Sequence, residues 1–294
     1  MKNQVIVIII VFLSFTMLSA ETWKYEADVS LNMNQNSYSN NWAGEEKGSI
    51  SWALNSNFLA EKQLYTRLHN KTTLKLAFGQ THNQYVDEEN NEKKWASPDK
   101  TTDLIDFESL FRFTLGSFVD PYISGRLESQ FLDQRIITDT KLFNPLTTSE
   151  GVGILRMFLK DETKELSSRL GGSFKQYLDS RADENTNDGG LEFITEFKTL
   201  FSGDNFSFNS KLNIYKALYY SKSDDLKGTE YEDDWKAPRL NWENILTASI
   251  TKLVSLNLYI DLIYNETDYD IEAKSIDEIQ YKQTLTLSVT YKLL

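Results

Sequence analysis

The sequence predicts an all-β fold: a single antiparallel transmembrane β-barrel of about twelve strands, with short periplasmic turns and long external loops. Nearly every segment after residue 20 alternates apolar and polar residues with period two, as strands do between an apolar medium and water. The connections between these segments alternate strictly between short and long, which is typical of outer-membrane barrels. No long stretch keeps a helical periodicity.

The first twenty residues are typical of a secretory signal peptide. Lys2 supplies a positive charge, residues 5–13 form an apolar run, and Ala20 precedes Glu21. The run is shorter than the roughly 20 residues that a membrane-spanning helix needs. We therefore expect a signal peptide over 1–20, cleaved near Ala20, and a barrel over 21–294 in the outer membrane of a Gram-negative bacterium.

Composition excludes several classes of protein. The 294 residues include no Cys, which excludes disulfides and thiolate metal sites. The net charge of -12 argues against nucleic acid as a partner, because affinity for phosphates depends on Lys and Arg. A hydrophobic fraction of 40% is too high for a disordered chain.

The alternation places twelve strands along the chain, and most of them reach the 9–11 residues that cross a bilayer at a tilt. The competing interpretation is a soluble sandwich or a lipocalin-like barrel, whose strands are usually about 5–6 residues long. The predicted strands span residues 22–34, 48–59, 63–79, 101–116, 120–131, 151–160, 164–178, 189–201, 205–220, 241–250, 254–264 and 279–293.

The connections set the orientation of the barrel. An even number of strands places both termini on the side of the short turns. The predicted short turns are 60–62, 117–119, 161–163, 202–204 and 251–253, and the long loops are 35–47, 80–100, 132–150, 179–188, 221–240 and 265–278.

Aromatic residues cluster near the predicted strand ends, which favours two girdles at the headgroup level of a bilayer. On the turn side they are Trp23, Tyr25, Tyr65, Tyr122, Phe206 and Tyr291, and on the loop side Phe78, Phe131, Tyr177, Tyr220, Trp242 and Tyr264.

The six long loops hold nearly all of the net charge, with 26 acidic and 12 basic residues. One hypothesis is a surface that binds a partner, a glycan or a divalent cation; the other is plain solvation of exposed loops. Calcium usually needs a Gly-assisted turn, which the acidic run after Glu266 lacks, so no metal site is predicted. Trp42 also fits simple packing at the barrel rim. The external-loop candidates are Asn41, Trp42, Asp224, Asp225, Asp233, Asp234, Asp268 and Asp270.

Charges of both signs occupy the strand positions opposite the apolar rows. A charge facing lipid is costly at mid-bilayer, so these side chains are expected to face the lumen. Opposite charges across a narrow lumen either form a salt-bridged plug or line a polar conduit, and the sequence leaves both open. The lumen candidates are Lys75, Asp106, Glu108, Arg112, Arg126, Glu128, Arg169 and Lys175.

Evidence for catalysis is weak. The chain has two histidines, His69, expected to face the lumen, and His82, expected in a loop. Neither a Gly-x-Ser-x-Gly elbow nor a His-Glu-x-x-His helix is present. No catalytic residue and no cofactor is predicted, and a lipid-acting enzyme is the least favoured function.

Short stretches resemble an uncharacterised family of Gram-negative envelope proteins, domain-of-unknown-function family 3078. They include Leu31-Asn32-Met33-Asn34-Gln35, Asn41-Trp42-Ala43-Gly44, Lys100-Thr101-Thr102-Asp103, Trp242-Glu243-Asn244-Ile245-Leu246 and Gln280-Tyr281-Lys282-Gln283. The order of these stretches carries the resemblance over nearly the whole mature chain. It implies an outer-membrane barrel and no activity.

The expected function is passive: a narrow pore for small polar solutes, or a structural component of the envelope. Binding through the external loops is the alternative. The expected partners are outer-membrane lipid and the barrel-insertion machinery.

Overall fold

A computed structural model of the chain describes residues 23–38, 47–87, 92–181, 185–201, 205–229, 232–264 and 279–292. The predicted signal peptide lies outside these residues. Among the described residues, no helix is long and apolar enough to cross a membrane.

The described residues are nearly all extended, and helical geometry is limited to two 3-10 turns, Ile137–Asp139 and Asp234–Lys236. The strands are β1 (Lys24–Asn36), β2 (Ser49–Tyr65), β3 (Leu68–Asp87), β4 (Glu92–Trp95), β5 (Asp99–Phe113), β6 (Asp120–Ser129), β7 (Leu132–Asp133), β8 (Lys141–Leu142), β9 (Leu146–Lys160), β10 (Lys164–Leu178), β11 (Thr186–Phe201), β12 (Phe206–Tyr220), β13 (Arg239–Ser249), β14 (Val254–Tyr264) and β15 (Ile279–Lys292).

Twelve of the described strands close into one antiparallel barrel. Around the wall they run β1, β2, β3, β5, β6 and then β9 to β15. The last strand pairs with the first, with Val29 opposite Tyr291, so the barrel has no open edge. β4 pairs only with the loop-side end of β3 and is not part of the barrel wall. β7 and β8 form a small antiparallel ladder inside one loop. The predicted barrel of about twelve antiparallel strands is confirmed.

The barrel is apolar outside and polar inside, the reverse of a soluble barrel. On β15, Leu287 and Val289 are 54% and 55% exposed on the outer surface, whereas Ser288 between them is 1% exposed. The Ser288 hydroxyl donates to Asn32 Oδ1 at 2.5 Å and accepts from Asn257 Nδ2 at 2.7 Å, so the inner wall of β1, β15 and β14 is hydrogen-bonded. An outer apolar surface on every side is the arrangement that lipid requires.

Aromatic side chains lie on the outer surface near both rims. On the turn side Phe201 and Phe206 stack with ring centroids 5.6 Å apart, and on the loop side Phe78 meets Phe131 edge to face at 6.2 Å. The prediction was wrong for Tyr177, which lies on the same face of β10 as Lys175, and for Tyr122, which is 2% exposed and projects into the lumen. Its neighbour Ile123 takes the outward position, at 47% exposure, because the alternation of β6 sets Tyr122 inward.

Tyr122 fits inside the wall because the strands beside it carry glycines. Gly153 pairs with Tyr122 on one side and with Gly171 on the other. A Cβ at Gly171 would lie 2.7 Å from the Tyr122 hydroxyl, and a Cβ at Gly153 would lie 2.2 Å from the Leu170 carbonyl oxygen. The absence of a side chain at these positions therefore lets β9 and β10 approach each other closely beneath the ring.

Replacing Gly153 with alanine is expected to destabilise the barrel by about 1–3 kcal/mol, the usual cost of overpacking. Gly172→Ala is the matched control, because a Cβ there has its nearest neighbour, the Gly190 carbonyl oxygen, at 3.9 Å. The folded fraction can be followed in urea by the heat-modifiable shift of the barrel on gels. Equal stability of the two variants would contradict the close packing around Tyr122.

Several predicted boundaries were wrong. The expected turn at 60–62 lies inside β2, whose alternation continues to Tyr65, and the turn falls at 66–67. Glu61 instead faces the lumen, where it pairs with Lys160 and His69, so β2 continues through this position. β9 begins at Leu146 instead of residue 151, since the polar run before Glu150 pairs with both β6 and β10. His82 lies in β3 and not in a loop.

Candidate functional site

The turn-side half of the lumen is crossed by ion pairs between strands that are not neighbours. Lys160 Nζ on β9 lies 3.1 Å from Glu61 Oε1 on β2, and three strands of the wall separate β2 from β9. Arg169 on β10 meets Glu108 on β5 at 2.5 Å, past β6 and β9. Side chains that meet in this way span the interior and narrow it.

Lys71 on β3 makes the widest crossing. Its Nζ lies 3.6 Å from Glu196 Oε2 on β11 and 3.8 Å from Glu165 Oε1 on β10. Four strands lie between β3 and β11 in the wall. We call this set of cross-lumen residues the constriction; its members are Glu61, Lys71, Glu108, Lys160, Glu165, Arg169 and Glu196.

Local sequence explains why these charges meet at one level. Glu61 and Lys160 lie at the turn-side ends of their strands, and Glu165 follows the tight turn 161–163. That turn is held by Asp161, whose Oδ1 accepts from the backbone N–H groups of Thr163 at 2.8 Å and Lys164 at 2.7 Å. The rigid turn fixes β9 against β10, so the inward residues on both strands reach the lumen near its turn-side end.

Apolar side chains back the constriction. Leu155 on β9 and Ile194 on β11 project inward and are 7% and 3% exposed. They exclude water from part of the lumen, and charges interact more strongly where the surroundings are less polar. His69 also belongs to this level, with its Nε2 2.9 Å from Glu61 Oε1. That position is inside the lumen, away from the lipid-facing surface.

Other lumen charges lie along the wall. Arg126 on β6 holds Asp106 on the adjacent β5 with two hydrogen bonds of 2.8 and 3.1 Å, and its Nη2 lies 2.9 Å from Glu128. Lys75, on β3, is the register partner of Asp106 on β5. Arg126, Asp106 and Glu128 therefore pair along the inner wall, between the adjacent strands β5 and β6, and do not cross the lumen.

A second polar cluster lies in the loop-side half of the lumen. Lys175 Nζ lies 3.9 Å from the ring centroid of Tyr215, and the Arg239 guanidinium carbon lies 4.7 Å from the same centroid. The Tyr215 hydroxyl donates to Asp188 at 2.7 Å, and Arg239 pairs with Asp188 at 2.5 Å. Lys175 also lies 3.7 Å from Glu192.

The structure divides the eight predicted lumen residues. Only Glu108 and Arg169 belong to the constriction. Arg112 lines a cavity among the constriction residues, and its Nε lies 3.9 Å from Asp120 Oδ2. Sequence reasoning did not select Glu61, Lys71, Lys160 or Glu165. The signal for three of them was present, as charged residues beside a turn, but such residues also fit a solvated turn. Position across a closed barrel is not encoded in local spacing.

Two external loops are tied together by buried aspartates. Asp133 is 0% exposed and accepts from Arg135 Nε at 3.0 Å, Arg181 Nε at 2.6 Å and Asn144 Nδ2 at 2.7 Å. Asp179 accepts from Arg135 Nη2 at 2.7 Å and Asn144 Nδ2 at 2.9 Å. We call these five residues the loop clamp; it joins the β6–β9 loop to the β10–β11 loop.

The loop clamp stabilises ionised carboxylates. Burial alone would raise the pKa of Asp133, but the hydrogen bonds from Arg135, Arg181 and Asn144 together outweigh it and hold this pKa well below its usual range. The pKa of Asp179 is lowered in the same way, against burial, by the Arg181 backbone N–H and by Asn144 and Arg135. Neither aspartate was singled out from the sequence.

Three of the acidic loop candidates, Asp224, Asp225 and Asp233, are exposed and paired locally. Asp224 Oδ1 lies 2.7 Å from Lys227, Asp233 Oδ1 lies 2.5 Å from Lys236, and Asp225 Oδ2 lies 3.7 Å from Lys222. Among the residues that the structure describes, no three His, Cys, Asp or Glu side chains form a group able to hold a metal ion. Asp234 begins the 3-10 turn. Asn41, Trp42, Asp268 and Asp270 lie outside the described residues.

Comparisons with known proteins give one family match. The family model "Protein of unknown function (DUF3078)" matches residues 33–134 and confirms the resemblance there, while the stretches at 242–246 and 280–283 lie outside the match. A search of curated proteins finds no match to this chain.

Solved structures match over nearly the whole chain. An outer-membrane channel from Pseudomonas putida F1 is 12% identical, with 95% of this chain and 97% of that chain covered and a TM-score of 0.40. The translocator domain of the autotransporter NalP from Neisseria meningitidis is 9% identical, with 99% and 95% covered and a TM-score of 0.34. A BenF-like porin from Pseudomonas fluorescens Pf-5 is 7% identical, with 93% and 99% covered and a TM-score of 0.30. By its family match, the chain is similar over residues 33–134 to a family of unknown function.

Proposed function

We propose that this chain is an outer-membrane barrel of a Gram-negative bacterium that acts as a narrow passive pore for small polar solutes. In this proposal the signal peptide is removed near Ala20, and the long loops face the outside. The observation that carries it is the lumen: a polar interior inside an apolar wall, narrowed at one level by the cross-lumen pairs of the constriction.

The contacts within the constriction favour a passage over a solid plug. The Lys71 ammonium lies 3.6 and 3.8 Å from its two carboxylates, beyond the usual range of a direct hydrogen bond. A cavity of about 50 Å³ lies among these side chains, and such a volume accommodates a few water molecules. A lining of charged and polar groups favours small polar solutes over apolar ones.

The described loop residues support the pore more than a binding surface. Three acidic candidates of the β12–β13 loop, Asp224, Asp225 and Asp233, lie beside a lysine three residues away, so part of their charge is neutralised locally. Their exposure is high, as it is for solvated loop residues.

Swelling of vesicles that contain the folded full chain tests this function. Glycine and a pentose are expected to enter faster than into protein-free vesicles, whereas a disaccharide is excluded by the constriction. Vesicles with the same mass of heat-denatured protein are the control. Entry of glycine no faster than into the control vesicles would contradict a pore.

A further inference from the structure

The cavity within the constriction has the features of a small binding site. Its volume is about 50 Å³, and Leu155, Met157 and Ile194 form an apolar side. Four cationic side chains line it together with carboxylates: Lys71, Arg112, Lys160 and Arg169. Small sites of this kind combine an apolar wall with a few convergent polar groups.

Two arginine donors at this cavity lack a hydrogen-bond partner among the described residues. They are Arg112 Nε and Arg169 Nε, and both atoms are buried. Arg169 is 9% exposed, donates from Nη2 to Glu108 at 2.5 Å and places its guanidinium 5.7 Å from the Tyr122 ring centroid. Its Nε–H remains free of any such contact. A buried donor without an acceptor is costly, so the arrangement calls for an acceptor in the cavity.

Lys71 adds a third donor with capacity to spare. Its two carboxylate neighbours lie 3.6 and 3.8 Å away, so its contacts with Glu165 and Glu196 are electrostatic, without the short distance of a hydrogen bond. An ammonium group carries three hydrogens that can be donated. An acceptor placed between Lys71 and the two arginines would receive bonds from three different strands.

The donors and the geometry indicate the class of that acceptor. The lining carries four cations and three carboxylates, and Glu108 and Asp120 lie beside Arg169 and Arg112, so the case for an anion rests on the unpaired donors and not on a net positive charge. Guanidinium groups match the oxygens of carboxylates and phosphates. The cavity volume is that of a few waters, which limits the ligand to a small ion.

We propose that the cavity binds a small oxyanion, of the carboxylate or phosphate class, between Arg112, Arg169 and Lys71. The inference deepens the proposed pore function, because it names a solute class that the constriction holds during passage. Binding itself does not require conduction, so the two proposals can fail separately.

Isothermal titration of the folded full chain in detergent tests this site, with inorganic phosphate and acetate as probes at constant ionic strength set by chloride. Saturable binding of phosphate, acetate or both is expected, and the stronger of the two identifies the source. Arg112→Gln and Arg169→Gln are each expected to weaken that affinity at least about tenfold, the loss of one charge-assisted hydrogen bond.

Lys282→Gln is the matched control, since Lys282 lies on β15 and outside the cavity lining while the change in charge is the same. Heat-modifiable migration verifies that each variant is folded. Absence of saturable binding to the unmodified chain would overturn the site, as would an equal loss in Lys282→Gln. Vesicle swelling on the same preparations separates the outcomes: binding without solute entry contradicts only the pore, and entry without binding contradicts only the site.

Discussion

Replacing Lys71 and Glu196 together with serine is expected to raise the single-channel conductance of the barrel several-fold. The pair spans the lumen between β3 and β11, with 3.6 Å between Lys71 Nζ and Glu196 Oε2. Serine removes both long side chains and leaves the net charge unchanged. Conductance through a narrow passage is set by its tightest level, so clearing this crossing widens the limiting section.

The matched control removes a charge pair from the wall. Asp106→Ser with Arg126→Ser also preserves net charge, but this pair joins the adjacent strands β5 and β6 and does not cross the lumen. Its conductance is expected to change much less. If the two double variants conducted equally, or if the Lys71 and Glu196 variant conducted less than the unmodified chain, the constriction would not be the limiting level.

Replacing Asp133 with asparagine is expected to open the loop clamp. The change keeps the shape but removes the charge that Arg135 and Arg181 share, and their donors lose charge-assisted bonds. Unsatisfied buried groups cost about 1–3 kcal/mol, which corresponds to roughly ten- to hundredfold faster local hydrogen exchange. The amides to follow are Arg135 and Arg181, which donate to the clamp aspartates.

Asp139→Asn is the matched control for the clamp. Asp139 pairs with the same Arg181, at 2.9 Å, but its side chain is 62% exposed, and exposed pairs contribute little. Exchange in this variant should stay near that of the unmodified chain. Equal acceleration in both variants would show that burial of Asp133 does not hold the loops together.

Acid should loosen the same clamp. Because the pKa values of Asp133 and Asp179 are lower in the folded protein than in the unfolded chain, their stabilisation is complete above the unfolded pKa. It falls as the pH drops below about 4 and is lost as the pH passes through the lower folded values. Exchange of the Arg135 amide should therefore be constant from pH 7 to pH 5 after correction for intrinsic rates, and accelerate below.

The fold was predictable because it depends on a pattern that each strand carries by itself. Alternation in β15, such as Leu285, Leu287 and Val289 around Ser288, gives the face of each residue without knowledge of its neighbours. The alternation of short and long connections then gives the order of pairing. The turn at 66–67 does not follow from the sequence because a charged residue such as Glu61 fits either a turn or a lumen-facing strand position.

The constriction was not predictable in the same way. Arg126 and Asp106 lie on consecutive strands, so pairing of this kind follows from a hairpin. The partnerships of Lys71 with Glu196 and of Lys160 with Glu61 depend on the curvature of the closed wall, and the second pair is 99 residues apart in the chain. Asp133 and Asp179 were counted as solvated loop charges, and only the folding of two loops onto each other buries them.

Single-channel recording of the unmodified chain in a planar bilayer tests the central claim, a narrow polar passage through a membrane barrel. Discrete steps are predicted above the baseline of the lipid alone, with a conductance several-fold below that of the Lys71 and Glu196 double serine variant. A membrane that stays silent after insertion of folded, heat-modifiable protein would contradict the pore.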